Sequence, residues 1–213
     1  MPRENNNREY IFNEAVRLFC EQGYEATTIR QIANAAHVQG ASIYFYFENK
    51  EAILDEIFRV LRVKPKSYIS TQNKIDAYLK TDTPTQLLSR FIPSCKAEDA
   101  VFMSQAYRIA HTEQFINPKA SELVRGYLIG EAAESLKYAL DRLMESHLIS
   151  EIDTQVFSEI WACNMFIRIS IDGFPEADGK ITDEDGIVFM GEQLITMLLM
   201  DKDPETQDVN AAI

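Results

Sequence analysis

The sequence predicts an all-α protein built of two parts. Apolar residues recur at helical spacing along most of the chain, as at Ile11, Ala15, Leu18 and Phe19. No sustained two-residue alternation appears, and no Asn-Gly or Asp-Gly turn is flanked by alternating residues. Charge is divided unevenly: residues 1–66 hold nine basic and nine acidic side chains, so the whole net charge of -12 falls on residues 67–213. A neutral head on an acidic body is the organisation this implies.

Each element has its own signal. The first helix ends near Gly23, and Thr27 or Thr28 caps a short second one carrying Ile29, Ile32 and Ala33. A third short helix runs from about Gln39 to Tyr46. Glu48-Asn49-Lys50 opens a fourth, with Ile53, Leu54, Ile57, Phe58 and Leu61 on its buried side and Pro65 ending or bending it. Residues 67–84 read as a polar segment, and Thr81-Asp82-Thr83-Pro84 is a start signal for a helix over about Thr85 to Cys95. Helices follow over Glu98 to Glu113, Asn117-Pro118 to about His147, and Asp153 to about Asp172. Gly173 to Lys180 reads as a loop, Thr182-Asp183-Glu184-Asp185 as the start of a last helix to about Met200, and 201–213 as a polar tail. The expected divisions are therefore 1–50, a connecting helix over 51–66, a helical body over 67–200 and the tail.

Composition excludes several classes. With 46% apolar and 25% charged residues the chain is globular in character. At 24.4 kDa it folds from roughly 35,000 Å² of exposed surface to roughly 10,000 Å². No apolar run approaches the ~20 residues of a membrane span, and Met1 to Asn7 lacks the apolar stretch of a signal peptide. A cytoplasmic protein with no membrane partner is expected. Cys20, Cys95 and Cys163 are too far apart for a zinc site and odd in number for a disulfide framework. No metal, cofactor or catalytic residue is expected. His37, His111 and His147 are scattered, and there is no glycine-rich phosphate loop or nucleophile elbow.

The informative stretch is the head. Two short helices, Thr28 to Ala36 and Gln39 to Tyr46, meet at a turn over His37-Val38. That is the form of a helix-turn-helix, whose second helix lies in the major groove. Ile32, Ala33, Ala36, Val38 and Ile43 are small or branched and let the pair approach closely, with Phe47 in the core behind. Tyr44 and Tyr46 read either as core aromatics or as hydroxyls for phosphate oxygens. Lys50 reads as a phosphate contact or a solvated helix-start lysine.

Residues 11–58 resemble the tetracycline-repressor (TetR) family of bacterial regulators. The likeness is carried by Ile11-Phe12-Asn13-Glu14-Ala15, Leu18-Phe19 and Gly23-Tyr24-Glu25-Ala26-Thr27-Thr28. It continues through Ile32 to Val38, Ser42 to Phe47 and Lys50 to Leu54. The resemblance implies phosphate contacts from Thr28, Tyr44, Tyr46 and Lys50, and a groove-facing surface of Gln39, Ala41, Ser42 and Phe45. Gln39 would suit an adenine edge and Ala41 a thymine methyl. Two positions depart from the family pattern. His37 stands where a turn glycine is usual and should adopt φ > 0. Gly40, within the same DNA-facing stretch, stands where lysine is frequent.

The body reads as a sensor and a dimer interface. Val156 to Ile171 is apolar almost all round, and the last helix repeats this with Ile187, Val188, Leu194, Ile195, Leu198 and Leu199. Two such helices suit packing against their copies in a C2 homodimer. Met103, Tyr107, Tyr127, Trp161 and Met165 are candidate pocket walls, on helices that line the pocket in the family. Asn164 and Arg168, one turn apart, are either internally bonded or anchors for a ligand. Gly126 and Gly130 suggest close helix approach or room beside a ligand. The expectation is a repressor that an unknown small-molecule effector releases from double-stranded operator DNA. The alternative is a DNA-binding architectural or partner-binding protein with no such ligand.

Overall fold

The computed structural model describes residues 3–63, 71–93, 97–173 and 195–199, and every regular element among them is helical. The head comprises α1 (Arg3–Gln22), α2 (Ile29–Ala35) and α3 (Gly40–Tyr46), followed by α4 (Lys50–Val63), which leads to the body. Thr28 is the cap of α2. Its Oγ1 accepts from the Gln31 amide at 3.2 Å, and the Gln31 side chain accepts from the Thr28 amide at 2.8 Å, a reciprocal capping box. His37 has φ 54 in the turn before α3, the left-handed conformation its position called for. Ile11, Ala15, Phe19, Ile32, Ile43, Ile53 and Ile57 close the head's core.

The body holds α5 (Gln72–Tyr78), α6 (Pro84–Ser89), α7 (Ala97–Glu113), α8 (Pro118–Glu122), α9 (Ala132–Glu145) and α10 (Thr154–Asp172). Its central layer is α7, packed on α1 of the head, on the connecting α4 and on α10 behind. α9 packs along α10. The helix expected from Asn117-Pro118 is continuous, but it changes winding. Between α8 and α9, Leu123–Glu131 is a π-helical stretch.

Three expectations are corrected. The polar segment 67–84 contains α5, because fully buried Ile75 gives it an apolar anchor that one side chain in seven hides from periodicity. α6 stops at Ser89 rather than near Cys95, four residues before Pro93, which disfavours helix in the residue preceding it. Gly126 and Gly130 do not serve close helix approach. Among the described residues, no atom of another helix lies within 4 Å of an added Cβ at Gly126 or Gly130, and at Gly130 the close neighbour is the carbonyl of Arg125 in the same helical stretch. Of the last helix, residues 195–199 are helical with Ile195 and Leu198 buried. Its expected start, Cys95 and the tail lie outside the described residues.

Candidate nucleic-acid interface

The seven residues of α3 are divided by burial. Ile43 is fully buried and fastens the helix to the head. Opposite it, Gln39, Gly40, Ala41, Tyr44 and Phe45 are exposed and Ser42 is half-buried. Tyr44 is 59% and Phe45 75% exposed, large apolar area that packing within the chain does not use. Tyr46 is half-buried against the core, and its ring meets Phe45 edge to face at 5.0 Å. Gln39 is the cap residue of α3 without a side-chain hydrogen bond to the helix, so its amide stays available.

The neighbouring positions have structural duties in the free chain. Thr28 is exposed, but its hydroxyl is engaged in the α2 cap. Lys50 reaches back 26 residues: its Nζ donates to the Tyr24 carbonyl at 2.8 Å and to that of Thr27 at 3.0 Å, and lies 4.1 Å from the Tyr24 ring centre. Neither sequence reading of Lys50 included this clamp. It fixes the α1–α2 connection against the start of α4, and so the tilt of the α2–α3 pair.

Contacts between head and body form a second set that sequence reasoning missed. Lys119 at the start of α8 donates to Glu51 at 2.7 Å and to Asp55 at 2.9 Å on α4. Tyr127 Oη donates to the Arg62 carbonyl at the end of α4 at 2.5 Å. Glu113, buried at the end of α7, accepts a hydrogen bond from the Tyr24 amide. Burial holds its carboxyl above the usual carboxylate range and Glu25 adds to the shift, while the Tyr24 amide and Lys50 oppose it. No sequence spacing links these residues, since each pair is brought together only by α7, α8 and the π-helical stretch folding onto α4 and the head.

In the body, Tyr107, Trp161 and Met165 line an internal cavity together with Phe91, Leu128, Ala132, Ala162, Phe166 and Ile169. Its volume is about 10 Å³, the space of one water molecule. Met103 is fully buried but outside the lining, and Tyr127 points to α4. Arg168 pairs with Asp172 at 2.9 Å, and Asn164 Oδ1 is buried with no hydrogen-bond partner among the described residues. The outer face of α10 leaves Val156, Ile160, Cys163, Ile167 and Ile171 exposed at spacings of three and four.

Comparison with known proteins agrees with this geometry. Residues 11–57 match the family model described as bacterial regulatory proteins, tetR family. The HTH-type transcriptional repressor KstR2 of Rhodococcus jostii is 41% identical over 56 residues, covering 26% of this chain and 28% of that protein. The negative regulator IcaR of the biofilm operon icaADBC in Staphylococcus aureus is 35% identical over 49 residues, 23% of this chain and 26% of its own. The matches thus span little more than a quarter of these relatives' length. Among solved structures, the TetR family regulator PfmR from Thermus thermophilus aligns with a TM-score of 0.62 at 22% identity, over 91% of this chain and 98% of its own. The ketosteroid regulator KstR2 of Mycobacterium tuberculosis aligns at 0.64 with 19% identity, over 91% and 93%. At that identity the likeness is one of fold, and it extends the agreement from the head to the body. Residues 11–57 thus match the TetR family head, and over most of the chain the helical fold is similar to that of solved TetR family regulators.

Proposed function

We propose that the protein is a DNA-binding transcriptional regulator, a homodimer that represses from a palindromic operator and is released by a small-molecule effector bound in the body. The observation that carries this reading is the outer surface of α3. Exposed Tyr44 and Phe45, with Gln39, Ala41 and Ser42 beside them, stand on a helix anchored from behind by Ile43. A groove-reading helix needs such a rigid seat with polar and small apolar side chains outward. Tyr44 and Tyr46 hydroxyls would add phosphate contacts, as would Thr28 and Lys50 once DNA competes for their internal partners. The head ends near residue 50, α4 connects it, and the acidic body contributes the dimer through α10 and the last helix. Repression is consistent with the roles of KstR2, a transcriptional repressor, and IcaR, a negative regulator.

Gel shift with DNA from the chain's own promoter tests this. Tyr44→Phe and Lys50→Ala should each weaken the shift about tenfold or more, and unchanged affinity in both would refute the assignment. A second reading, DNA binding without a small molecule, is favoured by the cavity, which at about 10 Å³ holds no effector as it stands. Operator release by a compound that binds the purified protein decides between the two.

A further inference from the structure

We infer that the body cavity takes an uncharged, flat aromatic molecule, and that the π-helical stretch is the wall that yields to admit it. This rests on the effector reading above. The lining carries no charged side chain. The cations adjacent in sequence to the lining are engaged elsewhere: Arg90 with Asp82, Arg108 with the Ser170 carbonyl and Arg168 with Asp172, while the lining's one hydroxyl, on Tyr107, belongs to a buried side chain. A charged ligand would lose its hydration with nothing to replace it. Four of the nine lining residues are aromatic (Phe91, Tyr107, Trp161 and Phe166), and they offer ring faces and edges to a planar aromatic molecule.

A ring needs a cavity on the order of 150 Å³, so a wall must move. α7 is packed on α1, α4 and α10, and α10 on α7 and α9. The π-helical stretch carries Leu128 into the lining and runs directly into Ala132, which also lines it. Its geometry is conditional on Gly130, where an added Cβ would sit 2.8 Å from the Arg125 carbonyl oxygen. Rewinding to an α-helix turns the Leu128 side chain relative to Ala132 and opens the space between them. The same stretch holds the end of α4 through Tyr127 and the Arg62 carbonyl, so the move reaches the head. A ligand that favours the rewound form thereby favours one head position over another.

Trp161 is the only tryptophan and lines the cavity, so its emission reports occupancy. The experiment titrates the full chain with nitrobenzene, 4-nitrobenzoate and 4-nitrobenzylammonium, three quenchers of one ring size and different charge. Saturable quenching by nitrobenzene with a Kd about tenfold or more below both ions is expected. Gly130→Ala, which disfavours the π winding, should tighten nitrobenzene by roughly threefold or more, and Ala162→Leu, which fills the space, should abolish it. Equal or tighter binding of either ion overturns the charge assignment without recourse to any variant. Unchanged nitrobenzene affinity in a folded Gly130→Ala protein overturns the role of the π stretch. Gel shift in the same samples separates this from the effector reading: quenching without DNA release supports the ligand class while the effector reading fails. Release by a compound that leaves Trp161 silent does the reverse.

Discussion

Two helices of this molecule expose apolar side chains, and the company those side chains keep differs. On α3, Tyr44 and Phe45 stand beside Gln39 and Ser42, and the head around them is electrically neutral. On α10, Val156, Ile160, Ile167 and Ile171 form an aliphatic stripe on a body that carries all of the net negative charge. An aliphatic stripe satisfies no hydrogen bonds and suits a surface of its own kind, whereas aromatic rings with hydroxyl and amide neighbours suit base edges and phosphates. Exposed apolar area is thus two different signals, and the polar residues around it say which.

The contrast can be broken from either side. Ile160→Asp places a charge in the α10 stripe, and sedimentation should show a monomer. Operator affinity should then fall by about 10² or more as the two heads lose their linkage. On α3, Phe45→Ala should weaken operator binding by about 1–3 kcal/mol and leave the melting temperature unchanged, because the side chain is 75% exposed. If Ile160→Asp spares the dimer, or Phe45→Ala spares DNA binding, that helix loses its assigned partner.

Smaller effects sharpen the account of how head and body are joined. Glu113 has a carboxyl raised chiefly by burial, so the folded protein holds its proton to higher pH than the unfolded chain does. Its contribution to stability is greatest below the ordinary carboxylate value of about 4.3 and declines as pH rises through the raised one. Glu113→Gln should remove that decline, which denaturant melts across the acid range would record. Smallest is His37→Gly. Relief of the left-handed backbone at φ 54, offset by greater freedom in the unfolded chain, should change stability by no more than about 1 kcal/mol.

Local features of the head were legible because they are written in neighbouring residues. The threonine cap of α2, placed at Thr27 or Thr28 and found at Thr28, the left-handed turn at His37 and the burial of Ile32, Ala33 and Ile43 all follow from spacing within one or two turns. The clamp from Lys50 to Tyr24 spans 26 residues and leaves no periodic trace. The π winding was equally hidden. Gly126 and Gly130 are visible in the sequence, but only the folded backbone shows that Gly130 faces its own helix's carbonyl. α5 escaped because its contact with the core comes through Ile75 alone among its fully buried side chains. In the body, Tyr107, Trp161 and Met165 were anticipated as pocket walls and do meet at one cavity, while Tyr127 and Arg168 turn to α4 and to Asp172.

The most direct test of the central claim is selection from a pool of randomised duplexes by the purified full-length protein, followed by sequencing of the retained DNA. The account predicts recovery of an inverted repeat whose half-sites lie about one helical turn apart or a multiple of it, with enrichment lost when Tyr44 and Phe45 are both replaced by alanine. Retention of no sequence above background, or the same repeat recovered by the doubly substituted protein, would contradict it.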